Sequence, residues 1–94
     1  MITNSIGYRI ASPHFAGQLV FKNVREVTET GKEDLNFLSI NSEDITVKEN
    51  ADPQYKTVIK NSYGDTYEVT ATPEEVSNAK EAVDGTSRIY AFDY

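Results

Sequence analysis

The chain has 94 residues with nine basic and fifteen acidic side chains, a formal net charge of −6, one histidine and no cysteine. That length supplies one modest core, so a single domain over residues 1–94 is expected, and the lack of cysteine excludes disulfides, thiolate nucleophiles and cysteine-based metal sites. The acidic balance argues against general nucleic-acid binding, which draws its affinity from a basic surface, although up to residue 25 Arg9, Lys22 and Arg25 stand without any acid.

Met1-Ile2-Thr3-Asn4-Ser5 has neither the basic nor the apolar region of a signal peptide, and no apolar run is long enough to span a bilayer. The expected setting is therefore cytoplasmic, in a bacterium or in a phage-infected cell. Residues 5 to 10 alternate Ile6, Tyr8 and Ile10 with Gly7 and Arg9 and read as a first strand, broken by Ala11-Ser12-Pro13-His14. The run from Gln18 to Thr28 reads as a long strand whose phase shifts near Asn23 through a bulge or bend. Thr30 to Asp34 reads as a polar turn, and Leu35 to Ile40 as the return strand of a hairpin. Asn41 to Asp44 breaks the pattern or forms a single helical turn, Ile45 to Lys48 is a short strand, and Asn50 to Pro53 is a loop.

Tyr55 to Lys60 and Thr66 to Thr70 are strand-forming runs separated by Asn61-Ser62-Tyr63-Gly64-Asp65. Gly64 can take positive φ and Asn61 and Asp65 can bond their own backbone, which predicts a hairpin. In Thr72-Pro73-Glu74-Glu75 the Thr and the second Glu have capping-box spacing, with Pro at N1. Val76, Ala79 and Val83 make an apolar stripe, and Asp84-Gly85 supplies the stop, so a helix is predicted over residues 73–83. Arg88 to Tyr94 alternates Tyr90, Phe92 and Tyr94 with Ile89, Ala91 and Asp93 and reads as a final strand.

Together these elements predict a mostly β, α+β fold: a bent antiparallel sheet or a small, partly open barrel with one short helix. The expected core is Leu19, Phe21, Phe37, Leu38, Ile45, Val47, Val58, Tyr67, Val69, Val76 and Ile89. From Ile40 to Val83 the order Ile40-Asn41, Ile45, Val47, Val58, Gly64-Asp65, Tyr67-Glu68-Val69 and Pro73-Glu74-Glu75-Val76 resembles the short FlbD-type flagellar proteins and many small bacterial and phage proteins. The resemblance covers under half the chain. It implies a small non-enzymatic accessory protein and assigns no functional residue.

The catalytic inventory is thin. His14 is a lone histidine beside Pro13 and Phe15, able to act as a general base but with no nucleophile-elbow serine to serve. The acidic groupings are Glu33-Asp34, Glu43-Asp44, Glu74-Glu75 and Asp65 with Glu68; the first two pairs read as turns and the third caps the helix, so no metal ligand, cofactor site or catalytic residue is assigned. The glycines are isolated, and no phosphate loop exists. Tyr8, Phe15 and Phe21 near Arg9, Lys22 and Arg25 could stack bases, but three cations make a thin footprint.

The leading expectation is a non-enzymatic module that binds another protein. Its partner residues are the exposed aromatics Tyr63 and Tyr94 and the acids Glu43, Asp44, Glu49 and Asp52. A sharper form is an inhibitor, of the kind phages encode, whose acids mimic a phosphate backbone in the cleft of a nucleic-acid enzyme. The alternatives are a self-associating structural component and, behind it, an enzyme built on carboxylates and His14.

Overall fold

The computed structural model describes residues 4–6 (as backbone) and 17–92. Residues 7–10 of the predicted first strand, with Tyr8 and Arg9 among them, therefore lie outside the described residues, as do His14, Phe15 and Tyr94. In chain order the described elements are β1 (Asn4–Ile6), β2 (Gln18–Thr28), β3 (Gly31–Asn41), a 3-10 turn (Ser42–Asp44), β4 (Thr46–Glu49), β5 (Thr57–Lys60), β6 (Thr66–Val69), α1 (Pro73–Val83) and β7 (Ile89–Ala91).

β2 is the strand on which the sheet is assembled. One edge pairs antiparallel with β3 from Gln18↔Asn41 to Thr28↔Gly31. The other edge is divided: Gln18, Leu19 and Val20 pair with β7, and Arg25, Glu26 and Val27 pair with β6. The path across the sheet is β1-β7-β2-β6-β5-β4, with β3 branching from β2. It is a bent, mostly antiparallel sheet that does not close into a barrel among the described residues. The β2–β7 pair is parallel, a departure from the all-antiparallel expectation. It arises because α1, rather than a hairpin turn, carries the chain from β6 back to β2.

Asn23 makes the division possible. It has φ 56°, in the left-handed region that a short polar side chain tolerates better than a branched one. Leu19 and Phe21 before it are buried, and so is Val24 after it, so the core-facing parity reverses. The pairing register with β3 is the same on both sides, Lys22↔Phe37 and Val24↔Leu35, so neither strand gains a residue. The predicted phase shift is thus a bend with a face reversal. β3 reverses with it: Leu38 and Leu35 both pack against the core, and Phe37 between them is left 63% exposed. Phe37 was expected in the core, and this reversal is why it is not.

The core comprises Leu19, Phe21, Val24, Ile40, Ile45, Ile59, Val69, Ala71, Val76, Ala79, Val83 and Phe92, with Leu35, Leu38, Val47, Tyr67 and Tyr90 at its margin. Phe21 and Phe92 stack with ring centroids 4.8 Å apart. In β5 the core-facing residues are Thr57 and Ile59, not Val58. Thr57 can occupy that face because its Oγ1 donates to the Ala71 carbonyl at 2.5 Å. The β2–β3 turn is also shorter than its polar composition suggests, Glu29 and Thr30 alone. Lys32 to Asp34 are strand because they pair with Val27, Glu26 and Arg25 of β2, although all three stay exposed.

The helix forms as its sequence predicts. Thr72 Oγ1 accepts from the Glu75 amide at 3.1 Å, the Glu75 carboxylate accepts from the Thr72 amide at 2.9 Å, and Gly85 takes φ 73°. Its buried stripe, Val76, Ala79 and Val83, packs toward β2, β4 and β7. A polar knot ties its end down. Ser42, fully buried, donates through Oγ to Asp84 Oδ1 at 2.6 Å, and its amide donates to the Gly17 carbonyl at 2.9 Å.

Gly17 sits so close to the helix end that a Cβ there would meet the Val83 carbonyl oxygen, would lie 2.5 Å from Val83 Cβ and would lie 2.9 Å from the Arg88 carbonyl oxygen. The clash is with backbone, which cannot rotate away. Gly17→Ala is therefore expected to lower stability by about 1–3 kcal/mol, read as a fall in the urea midpoint.

Candidate functional site

On the outer face of the sheet, opposite the core, the strands place Lys48, Val58, Glu68, Arg25 and Asp34 in one cross-strand row. Glu68 is only 6% exposed although it lies on that outer face. Its alternation with Tyr67 and Val69 predicts a solvated side chain. The structure covers it instead, because the loop from Asn50 to Lys56 folds over it.

The carboxylate of Glu68 is filled from several directions. Oε1 accepts from Arg25 Nη2 at 2.7 Å and Nε at 3.0 Å. Lys32 Nζ reaches both oxygens at 3.2 Å, and Asn50 Nδ2 donates to Oε2 at 3.1 Å. Arg25 continues outward: its Nη2 donates to Asp52 Oδ2 at 2.9 Å, and its guanidinium lies 4.0 Å from the centroid of the Tyr55 ring. Asp52 Oδ1 accepts the amides of Gln54 at 2.8 Å and Tyr55 at 2.9 Å. The network clamps the β4–β5 loop onto β2 and β6.

Charge states follow from these contacts. Burial pushes the Glu68 carboxyl up, but hydrogen bonds from Arg25, Lys32 and Asn50 outweigh it and hold the group below its usual range. The amides of Tyr55 and Gln54, with Arg25, bring Asp52 down to about 2. The Ser42 hydroxyl, joined by Lys80, lowers Asp84. The network thus stays ionised at neutral pH with its oxygens occupied, which suits a structural clamp better than proton transfer.

The residues expected at a partner surface separate into two groups. Tyr63 stands at the tip of the β5–β6 turn, 88% exposed. The turn is stiff, since Asn61 Oδ1 accepts the amides of Tyr63 at 3.0 Å and Asp65 at 2.9 Å, and Gly64 takes the positive φ expected of it. Glu43 and Asp44 lie exposed on the 3-10 turn that leads into Thr46, the end of β4 that pairs with Lys60 beside this hairpin tip. Glu49 lies exposed at the other end of β4. Asp52 lies beyond it and is committed to Arg25 and the loop backbone. Tyr94 lies outside the described residues.

Other groupings expected from the sequence come apart. Glu33 and Asp34 belong to β3, opposite Glu26 and Arg25. Asp65, at the hairpin tip, accepts from Asn61 Nδ2 at 3.0 Å, whereas Glu68 is enclosed. Of the basic N-terminal set, Phe21 is core and Arg25 is held by Glu68, which leaves Lys22 exposed among the described residues. No group of three or more His, Asp or Glu among the described residues could hold a metal ion, and no helix there is long and apolar enough to cross a membrane.

Comparison with protein-family models, curated proteins and solved structures finds no match. Geometry and sequence carry the functional reading alone. The signal that sequence reasoning missed is the pairing of Arg25 with Glu68, residues far apart in the chain that become neighbours only through the β2–β6 register.

The folded protein holds Glu68, Asp52 and Asp84 as carboxylates below their ordinary pKa, so the unfolded chain binds their protons first. Their stabilisation is complete above the unfolded carboxylate range near pH 4 and is lost as pH falls through the folded values, toward about 2 for Asp52. Removing the central carboxylate with Glu68→Ala is expected to cost about 2–4 kcal/mol at pH 7 by leaving Arg25 and Asn50 without it. The difference from wild type should shrink below pH 4 in urea titrations.

Proposed function

We propose that this chain is a small non-enzymatic module that binds another protein, with the β5–β6 hairpin tip as its contact. The observation that carries the reading is Tyr63: a large amphipathic ring almost wholly exposed on a turn that its own side-chain bonds hold rigid. Such a ring gives up little conformational freedom on binding and supplies both apolar area and a hydroxyl, the pattern of an interface anchor.

The acids around it suggest the kind of partner. Glu43, Asp44 and Asp65 are exposed toward this end of the β4–β5–β6 meander, as is Glu29 on the adjacent β2–β3 turn. A basic protein surface complements them, and a nucleic-acid enzyme of a bacterial host offers such a surface in its cleft. Lys60 and Lys32 nearby dilute the acidity, so the acids would steer and orient the partner while Tyr63 anchors it.

Capture from a native-host lysate on immobilised protein tests this. The wild type should retain a specific protein at low salt, and less of it at high salt. Tyr63→Ala should retain at least about tenfold less, with an unchanged unfolding midpoint. Equal retention by Tyr63→Ala, or turnover of a substrate by the purified protein, would contradict the reading.

A further inference from the structure

The end of α1 holds a reactive bond. Asp84–Gly85 is the one place in the sequence where an Asp or Asn precedes Gly. Such a pair cyclises readily, because glycine has no Cβ to shield its amide nitrogen or to restrict its backbone. That nitrogen attacks Cγ of the neutral Asp carboxyl: an N–Cγ bond forms, the Cγ–OH bond breaks, and the hydroxyl leaves with the amide proton as water. Water then opens the succinimide ring. Opening at Cγ restores aspartate, and opening at the main-chain carbonyl gives isoaspartate, so the net change is an isomerisation.

The folded chain opposes both partners in that first step. Asp84 caps the helix with ψ 129°, which turns the Gly85 nitrogen away from the Asp84 side chain, whereas ring closure needs it eclipsed with Cβ. Rotation is resisted on either side of the bond. The Asp84 amide donates to the Lys80 carbonyl at 2.8 Å, and the Thr86 amide and hydroxyl donate to the Val83 carbonyl at 2.9 Å and 2.8 Å. The carboxyl is held as well: Oδ1 accepts from Ser42 Oγ at 2.6 Å and Oδ2 from Lys80 Nζ at 3.1 Å, contacts that favour the unreactive carboxylate over the reactive acid.

We propose that Asp84–Gly85 is a latent site of isoaspartate formation, kept closed by the bond from Ser42 and opened when the helix end frays. Ser42 is the main restraint, since it is fully buried and tied by its amide to Gly17, whereas the Lys80 side chain is partly exposed. Isoaspartate runs the main chain through Cβ, lengthens it by one carbon and withdraws the carboxylate from Ser42. A buried hydroxyl then loses its acceptor, and refolding does not undo the change. The modification thereby limits the lifetime of the fold, whatever Tyr63 binds.

The test is incubation of the folded full chain at neutral pH, with the isoaspartate content of the tryptic peptide spanning Asp84–Gly85 followed by chromatography against synthetic standards. Wild type should convert many-fold more slowly folded than in urea. Folded Ser42→Ala should convert at least about tenfold faster than folded wild type, the change in open population expected from losing a hydrogen bond to a charged group. Lys80→Gln, an exposed change that leaves the core intact, should accelerate conversion a few-fold and decides the matter if Ser42→Ala does not fold. Glu68→Ala, which weakens the fold away from the helix end, should convert at the wild-type rate. Folded wild type converting as fast as in urea overturns the proposal. So does Ser42→Ala or Lys80→Gln at the wild-type rate, or Glu68→Ala accelerated as much as Ser42→Ala, which would make global unfolding the gate. None of these outcomes alters the Tyr63→Ala capture result.

Discussion

The reversal of β2 at Asn23 governs the architecture. A strand with uniform alternation would present Leu19, Phe21 and Asn23 to one side and Val24 to the other, and could serve only one flat sheet. Because Asn23 sits at φ 56°, the core-facing residues run Leu19, Phe21, Val24. One half of the strand supports β7 and β1, and the other supports β6, β5 and β4, around a shared core. The same reversal, transmitted through an unbroken register, leaves Phe37 on the outside of β3.

Two polar devices hold the bent sheet in place. On the outer face, Glu68 gathers Arg25, Lys32 and Asn50, and Arg25 in turn fastens Asp52 and Tyr55. At the helix end, Ser42 joins Asp84 to the Gly17 backbone. Buried polar groups are costly when half satisfied, so both clusters specify one arrangement of loop and helix as much as they stabilise it. Their oxygens and cations are occupied by one another. Tyr63, at the tip of the β5–β6 turn, lies outside both clusters and is exposed.

Local elements were legible in the sequence where a short-range mechanism specifies them. Thr72 and Glu75 make their capping box, Gly64 and Asn61 make their turn, and Val76, Ala79 and Val83 bury as a stripe. The bend near Asn23 was visible as a break in phase, but its consequence for Phe37 was not, since that depends on how β3 follows β2 through the bend. Glu68 read as solvated for a similar reason. Its burial needs Arg25 across the β6 register and a loop folded from the far side of β5, contacts that alternation along one strand cannot reveal. Of the candidate surface, exposure at Tyr63, Glu43, Asp44 and Glu49 followed from turn and strand-end positions, whereas the internal pairing of Asp52 did not.

Left-handed backbone at Asn23 is a requirement of the fold. Equilibrium unfolding of Asn23→Gly and Asn23→Val tests it most directly, since the Asn23 side chain is exposed and its replacement removes no core packing. Glycine should be tolerated within about 0.5 kcal/mol, whereas valine, whose branched Cβ opposes positive φ, should cost about 1–2 kcal/mol. Equal stability of the two variants would mean that the backbone there is not held left-handed, and the account of the bent sheet would fail.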